Sequence, residues 1–295
     1  MKLKSVLSII GVSIVSLGLI GCGSTQAAKT KETNWEIVKT VDNTKANATH
    51  IGGFLNENFG ITAGYKGEMH YTNDGGESWP RATNESLCRF GLQIINENLA
   101  WTCGNGGNVR KTTDGGKTWQ KVADYGESEP NQCRYVSFLD ENTGWIASPK
   151  KLGSTTDGGK TWVTLQLPAG IKDMVAIDLL DKNTGYLVDN NNKLYATNDG
   201  GSTWTNKPIN IDNLTNIIWK TNVSLIRFTD KDNATFFYYG DDKKLKCSVT
   251  KDGGDTWEEK AMPDVEGYGL FLSPDGKYLS VNGPSGETIT LLKQK

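Results

Sequence analysis

The sequence predicts an all-β protein folded as a six-bladed β-propeller, and three observations lead to that prediction. An octapeptide of the form Thr-x-Asp-Gly-Gly-x-(Ser/Thr)-Trp occurs five times, with its aspartates 40, 43, 42 and 53 residues apart. A looser repeat precedes four of these octapeptides, and the segment around Trp35 reads as one additional strand. A period of this length is typical of a repeated four-stranded unit, such as a propeller blade.

Each octapeptide predicts a tight hairpin turn that is stabilised by hydrogen bonds to its own side chains. The Gly-Gly pair supplies the positive φ angles of a short turn, and a carboxylate before the turn accepts hydrogen bonds from its N–H groups. The Trp then begins the next strand and packs against the neighbouring sheet. We interpret the aspartates as structural, because one active site does not need five identical copies. These residues are Asp74, Asp114, Asp157, Asp199 and Asp252, followed by Trp79, Trp119, Trp162, Trp204 and Trp257.

The looser repeat predicts the two inner strands of each blade. In segments 54–64, 94–104, 138–148 and 179–189, an apolar run ends in Asn or Asp, passes a polar turn and enters a second apolar run. Residues 224–250 fit a fifth, less regular unit, and 269–292 supply three more strands with no Trp-led fourth. We expect residues 34–39 to complete the last blade and close the ring. Seven blades are the alternative, since the 205–222 stretch is long.

The N-terminus predicts export. Lys2 and Lys4 precede an apolar run from Val6 to Ile20, which ends in Leu-Ile-Gly-Cys at Cys22. This resembles a bacterial lipoprotein signal, which implies that 1–21 are removed and that Cys22 is lipidated. Residues 22–33 are then a flexible tether and 34–295 a propeller held outside the cytoplasm. The alternative is an ordinary signal with an incidental cysteine.

Charge and cysteine content narrow the choice of partners. The chain has 32 basic and 34 acidic residues without a Lys/Arg cluster, so nucleic acid is not an expected partner. The remaining cysteines are even in number, which permits disulfides in an exported protein. We expect a bridge within the trio Cys88, Cys103 and Cys133, with Cys247 left free or buried. Without a Cys-x-x-Cys pair, and with only two histidines, no metal or other cofactor is predicted.

The loops opposite the octapeptide turns are the predicted ligand face. Loops from all blades converge there over the central channel, where propellers place their ligand sites. Arg89 and Arg134 occur in similar settings near the start of an inner strand and could grip a carboxylate of a ligand. The alternative is that both arginines are simply solvated or ion-paired. The other candidate contacts on this face are Lys66, Asn105, Lys150 and Asn191.

The octapeptide closely resembles the Asp-box, or BNR repeat, of sialidases and many other propellers. In sialidases, three arginines and a Tyr–Glu pair perform catalysis, but here residues 48–53 lack the Arg-Ile-Pro motif. The spacing of Gly144-Trp145-Ile146-Ala147 and the box at 155–162 more closely resembles the propellers related to the photosystem II stability/assembly factor. That resemblance implies a non-catalytic module that binds other proteins.

Three hypotheses about function follow. We expect a surface-anchored binding or assembly module whose partner is an envelope protein or a glycan. The alternative is a glycoside hydrolase, sialidase-like, or a lyase of the Asp-box group, and a third hypothesis is a purely structural role in the cell wall. No catalytic residue is assigned.

Overall fold

The described part of the chain forms six antiparallel sheets, and their strand order is that of a propeller with one sheet per blade. The structure is a computed structural model that describes residues 33–44, 49–64, 67–83, 89–125, 132–209, 224–240 and 244–295. Within these ranges no helix is both long and apolar enough to cross a membrane. The predicted lipoprotein signal, most of the predicted tether with Cys22, and the loop residues Lys66 and Cys88 lie outside the described residues.

The first three blades follow each other along the chain. Blade 1 contains β2 (Thr49–Phe54), β3 (Gly60–Gly64) and β4 (Met69–Thr72). Blade 2 contains β5 (Arg89–Ile94), β6 (Ala100–Gly104), β7 (Asn108–Thr112) and β8 (Gln120–Asp124), with a 3-10 turn at Asn105–Gly107. Blade 3 contains β9 (Tyr135–Phe138), β10 (Gly144–Ser148), β11 (Lys151–Thr155) and β12 (Val163–Leu165).

The last three blades continue the pattern, and the final one borrows a strand from the N-terminus. Blade 4 contains β13 (Met174–Leu179), β14 (Gly185–Asp189), β15 (Lys193–Thr197) and β16 (Thr205–Pro208). Blade 5 contains β17 (Ser224–Phe228), β18 (Ala234–Tyr239), β19 (Leu245–Thr250) and β20 (Glu258–Lys260). Blade 6 contains β21 (Gly269–Leu272), β22 (Tyr278–Asn282), β23 (Thr288–Gln294) and β1 (Trp35–Asp42).

The N-terminal strand closes the ring, as the sequence predicted. β1 pairs antiparallel with β23, from Trp35 opposite Gln294 to Asp42 opposite Thr288. The first and last parts of the ring are thereby held in one sheet, so neither end is left as an open edge. The described residues form six sheets, and the six-blade prediction is confirmed against the alternative of seven.

Blade 1 departs from the expected four strands. Its outer strand is reduced to two hydrogen bonds, from Tyr71 N–H to the Pro80 carbonyl at 3.1 Å and from Ala82 N–H to the Met69 carbonyl at 2.8 Å. Pro80 directly follows the Trp of the first octapeptide and has no N–H to donate, so a regular ladder cannot start there.

Aromatic side chains fill the space between blades. Trp101 of blade 2 stacks on Phe138 of blade 3 with ring centroids 3.7 Å apart, and Tyr186 of blade 4 stacks on Phe228 of blade 5 at 3.4 Å. All four rings are buried. Trp101 and Tyr186, near the start of the second strand in blades 2 and 4, therefore build the core and are not available to a ligand.

Candidate functional site

The five octapeptides follow the third strand of blades 1 to 5, and each closes on itself through the same hydrogen bonds. In blade 3, Thr155 Oγ1 donates to Asp157 Oδ1 at 2.9 Å and accepts from Gly159 N–H at 2.9 Å. Asp157 also accepts from the N–H and the hydroxyl of Thr161, at 2.9 and 2.6 Å. Both carboxylate oxygens are thus engaged within the turn.

The turn between the first two strands of each blade fastens to the octapeptide. In blade 4, Asp181 Oδ1 accepts from the N–H groups of Asn183 and Thr184, each at 2.8 Å. The Asn183 carbonyl then accepts from Gly200 N–H of the octapeptide at 2.7 Å. Asn56, Asn96, Asp140 and Asp230 make the same Asx turns in blades 1, 2, 3 and 5. The looser repeat in the sequence encodes this second turn.

The hydrogen bonds within the octapeptides also set the acidity of their carboxyl groups. The hydroxyls of Thr161, Thr203 and Thr256 are the main reason that the pKa values of Asp157, Asp199 and Asp252 fall to about 2. Carboxyl groups with such low pKa values, whose oxygens already accept hydrogen bonds within the turn, are unsuited to general acid catalysis near neutral pH. Among the described residues, no group of three or more His, Cys, Asp or Glu is arranged to hold a metal ion.

Arg134 lies on the opposite face, where β9 of blade 3 begins. Its N–H donates to the Ala147 carbonyl at 2.8 Å, which fixes the backbone, and its guanidinium lies 5.7 Å from the centre of the Phe90 ring. Arg134 Nε is buried and donates to no described acceptor, and no described carboxylate lies within ion-pair distance. A planar cation held on an aromatic ring and lacking a counterion is suited to bind an anionic group.

The central channel under Arg134 is narrow. Arg134 lines a cavity of about 50 Å³ together with apolar residues of the inner strands, among them Leu92, Ile177, Leu225 and Leu270. This space is too small for a sugar ring or a drug-sized substrate, which needs several hundred Å³. A ligand of that size does not fit into the cavity formed by the described residues, and would have to lie over it.

Two further residues predicted for this face are tied into it. Lys150 Nζ forms an ion pair with Asp173 at 2.8 Å, and so joins the turn of blade 3 to the start of blade 4. Asn191 is exposed on a turn that follows buried Asp189. Asp189 Oδ1 accepts hydrogen bonds from the backbone N–H groups of Asn191 and Lys193, at 2.9 and 3.1 Å. The sequence reasoning missed Asp189, although Asp followed by Asn two residues later is a recognisable Asx-turn signal.

The remaining candidates are described only in part. Asn105 is half-buried in its 3-10 turn, and its buried Oδ1 has no hydrogen-bond partner. Arg89 begins β5 opposite Gly104, but its side chain lies outside the described residues. The structure therefore brings Arg134, Lys150 and Asn191 to the face of the loops, and leaves the pairing of Arg89 with Arg134 as a prediction.

Side chains on the innermost strands accept hydrogen bonds from the backbone of the neighbouring blade, and the sequence did not predict these contacts. Gln93 Oε1 accepts from Phe138 N–H of the next blade at 2.6 Å, and Ser137 Oγ accepts from Leu179 N–H at 2.8 Å. Asp178 Oδ2 accepts from Phe228 N–H at 2.6 Å. Each of these acceptors is the second-last residue of the first strand of its blade. Arg227 holds this position in blade 5 and pairs with Asp178, so it is not available to a ligand.

Two partial matches to protein families bear on identity. Residues 88–171 match the family model described as photosynthesis system II assembly factor YCF48, and residues 150–270 match the model of sortilin, neurotensin receptor 3. A comparison with curated proteins finds no match. The resemblance to BNR-like propellers of the photosystem II assembly-factor type is confirmed by the first of these matches.

Solved structures share the architecture at low sequence identity. "YCF48 bound to D1 peptide" is 17% identical with a TM-score of 0.55, covering 90% of this chain and 96% of that one. YCF48 from Cyanidioschyzon merolae is 18% identical with a TM-score of 0.52, covering 88% and 98%. A streptogramin B lyase is 15% identical with a TM-score of 0.53, covering 80% and 76%. At these identities the likeness establishes the propeller fold alone.

Proposed function

We propose that this BNR-like β-propeller is a non-catalytic assembly module that binds a segment of a partner protein over the channel, on the face opposite the Asp-boxes. The observation that carries the proposal is Arg134, whose guanidinium rests on Phe90 and has no described counterion. A peptide carboxylate, from an acidic side chain or a chain end, is the partner group that fits this cation.

Four other observations support a binding role over catalysis. The Asp-box carboxylates are engaged in their own turns. Carboxylates in the first turn of each blade, such as Glu57 and Glu141, are paired with lysines on the same outer face, at 2.9 and 3.0 Å. The cavity that the described residues form under Arg134, about 50 Å³, is also too small to enclose a drug-sized substrate. In addition, a solved YCF48 carries a bound D1 peptide, which supports a protein segment as the ligand in preference to a glycan.

The place of action is the outer side of a bacterial membrane, to which diacylated Cys22 anchors the propeller. Two acyl chains hold a protein firmly, whereas one chain alone binds only marginally. Replacement of Cys22 by Ser should move the protein from the membrane fraction to the soluble exported fraction and abolish incorporation of a labelled fatty acid. A Cys22→Ser protein that stays in the membrane fraction would contradict the anchor.

Site-specific photocross-linking in the native membrane tests the binding face. A photoreactive residue at exposed Asn191, on the loop face, should capture a partner, while one at exposed Thr113, in an Asp-box, should not. The Asn191 cross-link should be lost on Arg134→Ala and kept on Arg81→Ala. Arg81 is the matched control, because it pairs with Glu68 on the outer segment of blade 1. Equal capture from both faces, or capture that persists without Arg134, would refute the proposal.

A screen for turnover separates binding from the enzymatic alternative. The full chain should leave fluorogenic glycosides, including sialosides, unchanged. Hydrolysis or elimination that disappears on Arg134→Ala would place an enzyme site on this face and replace the binding module.

A further inference from the structure

Two thiols meet between blades 2 and 3, directly beneath the loop face. Cys103 lies on β6, and Cys133 lies two residues before β9. Both side chains are fully buried. Each Sγ lies 3.9 Å from the same acceptor, the Tyr135 carbonyl oxygen, so the two thiols are close neighbours, and the Cys103 thiol contributes to the raised pKa of Cys133. Cysteines of separate blades are thus brought together by the ring and not by closeness in sequence.

The close approach of the two blades is built into Gly91 on β5. A Cβ at Gly91 would lie 2.8 Å from the Arg134 carbonyl oxygen and 2.9 Å from Cys103 Sγ. These distances leave room for a hydrogen atom only, so β5 can lie against the segment that carries Cys133 and Arg134. The apolar surroundings, which include Trp101, Val109 and Ile146, hold both thiols in place.

We propose that Cys103 and Cys133 form a disulfide bond that joins blades 2 and 3 beneath Arg134. The oxidant is a disulfide, either of a small thiol such as glutathione or of an exported dithiol oxidoreductase. One cysteine thiolate attacks the oxidant's disulfide and releases one thiol, and the second cysteine attacks the mixed disulfide and releases the other. The two cysteines lose two protons and two electrons, and the oxidant's S–S bond becomes two thiols.

The bond forms during folding and not after it. Burial, reinforced by the neighbouring Cys103 thiol, raises the pKa of Cys133 well above its ordinary value, so the folded protein holds little of the attacking thiolate. Both sulfurs are also inaccessible to a bulky oxidant once the ring has closed. Export in the unfolded state into an oxidising compartment provides the interval in which both thiols are open.

Cys247 supplies an internal control and Cys88 the main competitor. Cys247 is buried on β19 in blade 5, and burial raises its pKa to about 12. Cys103 and Cys133 lie in the core cluster between blades 2 and 3, whereas Cys247 belongs to the separate cluster around Leu245 and Leu279. Cys88 lies outside the described residues, one position before β5, and is close enough in sequence to compete.

Peptide mapping without reduction tests the bond. The full chain carrying Cys22→Ser is unfolded, reduced and refolded with oxidised glutathione, and remaining thiols are alkylated under denaturing conditions. The expected product links the Cys103 peptide to the Cys133 peptide, with Cys88 and Cys247 alkylated. A linkage that contains Cys88, or alkylation of all four cysteines, would overturn the proposal.

Thermal unfolding provides a second measurement that does not depend on a variant folding well. The oxidised protein should melt roughly 8 °C above its reduced form, because the bond closes a loop of about 30 residues. The same gap should persist in Cys247→Ser and vanish in Cys103→Ser/Cys133→Ser. Reduced protein that is already folded should react with oxidised glutathione far more slowly than protein that is refolding. An equal rate in the two states would contradict closure during folding.

Discussion

Arg227 Nε lies 3.4 Å from Asp178 Oδ1, and the two residues hold the same position on the inner strands of neighbouring blades. The Asp178 side chain is only 2% exposed and also accepts the Phe228 N–H. Arg227 Nε lies within ion-pair distance of the Asp178 carboxylate but does not donate a hydrogen bond to it, because this atom has no hydrogen-bond partner among the described residues. The pair is therefore a charge contact that compensates a buried carboxylate.

Replacement of Arg227 by Met should lower the free energy of unfolding by about 3 kcal/mol, because it leaves the Asp178 carboxylate buried without its counterion. Arg227→Lys, which keeps the charge, should lose less. The double variant Asp178→Asn/Arg227→Met should recover much of the loss. Urea unfolding monitored by tryptophan fluorescence measures all three. A double variant as unstable as Arg227→Met would mean that packing of the arginine stem, and not charge, is lost.

The same pair gives a pH dependence with a definite sign. Burial raises the pKa of Asp178 above its ordinary value of 3.8, although Arg227 and the Phe228 N–H oppose that rise. The folded state therefore holds the proton more tightly than the unfolded state, and ionisation of Asp178 costs stability as pH rises through the folded pKa. Without Arg227 this cost grows. The deficit of Arg227→Met should be smaller near pH 5 than near pH 8.

The threonine that opens each Asp-box should matter far more than its neighbour. Thr112 is buried, and its hydroxyl accepts from Gly116 N–H at 2.9 Å and donates to Asp114 Oδ1 at 2.8 Å. Thr112→Val leaves the Gly116 donor unsatisfied and should cost about 1–3 kcal/mol. Thr113→Val, one residue further along on an exposed position, should change stability by less than about 0.5 kcal/mol. Equal effects of the two substitutions in urea unfolding would contradict the interpretation that the Thr112 hydroxyl stabilises the turn.

How far the sequence could predict this molecule is clearest from the turns. The Gly-Gly pairs and the aspartates occur at fixed positions, so the blade number and the closing strand at Trp35 follow from the repeat alone. Pro80, which shortens the outer strand of blade 1, was equally visible in the sequence and was overlooked. The contact between Asp178 and Arg227 was not accessible, because it joins different blades. The sequence narrowed the cysteine contact to Cys88, Cys103 and Cys133, but it did not single out Cys103 and Cys133. Their partners are set by how closely the sheets pack, which local propensity does not encode.

Acid should unfold the propeller through its Asp-boxes. Hydrogen bonds hold the pKa of Asp157, Asp199 and Asp252 at about 2, below the ordinary value of 3.8. A lowered folded pKa gives stability that is present above the unfolded pKa and is lost as pH falls through the folded one. The urea midpoint should therefore hold above about pH 4 and decline steeply towards pH 2. Asp157→Asn should be less stable at neutral pH but decline less. Parallel curves for the two proteins would contradict this origin of acid sensitivity.

Two adjacent glycines on the loop face should differ sharply in their tolerance of a side chain. Gly106 and Gly107 both have positive φ, at 65° and 71°. A Cβ at Gly106 would meet nothing within 4 Å, whereas one at Gly107 would lie 2.3 Å from the Tyr125 carbonyl oxygen. The Gly107 carbonyl also accepts the Tyr125 N–H at 2.6 Å, so the backbones at the mouth of blade 2 are held in contact.

Gly106→Ala should therefore cost only the backbone strain of positive φ, about 1 kcal/mol. Gly107→Ala adds a clash with backbone that no side-chain rotation relieves, and should cost about 3 kcal/mol or more. Since Tyr125 packs in the same core cluster as Cys133, the residue before Arg134, Gly107→Ala should also weaken the cross-link from Asn191, while Gly106→Ala leaves it intact. Equal stability of the two variants would mean that the backbone contact between Gly107 and Tyr125 relaxes to accommodate the added methyl group. This contact would then not be rigid enough to position Arg134.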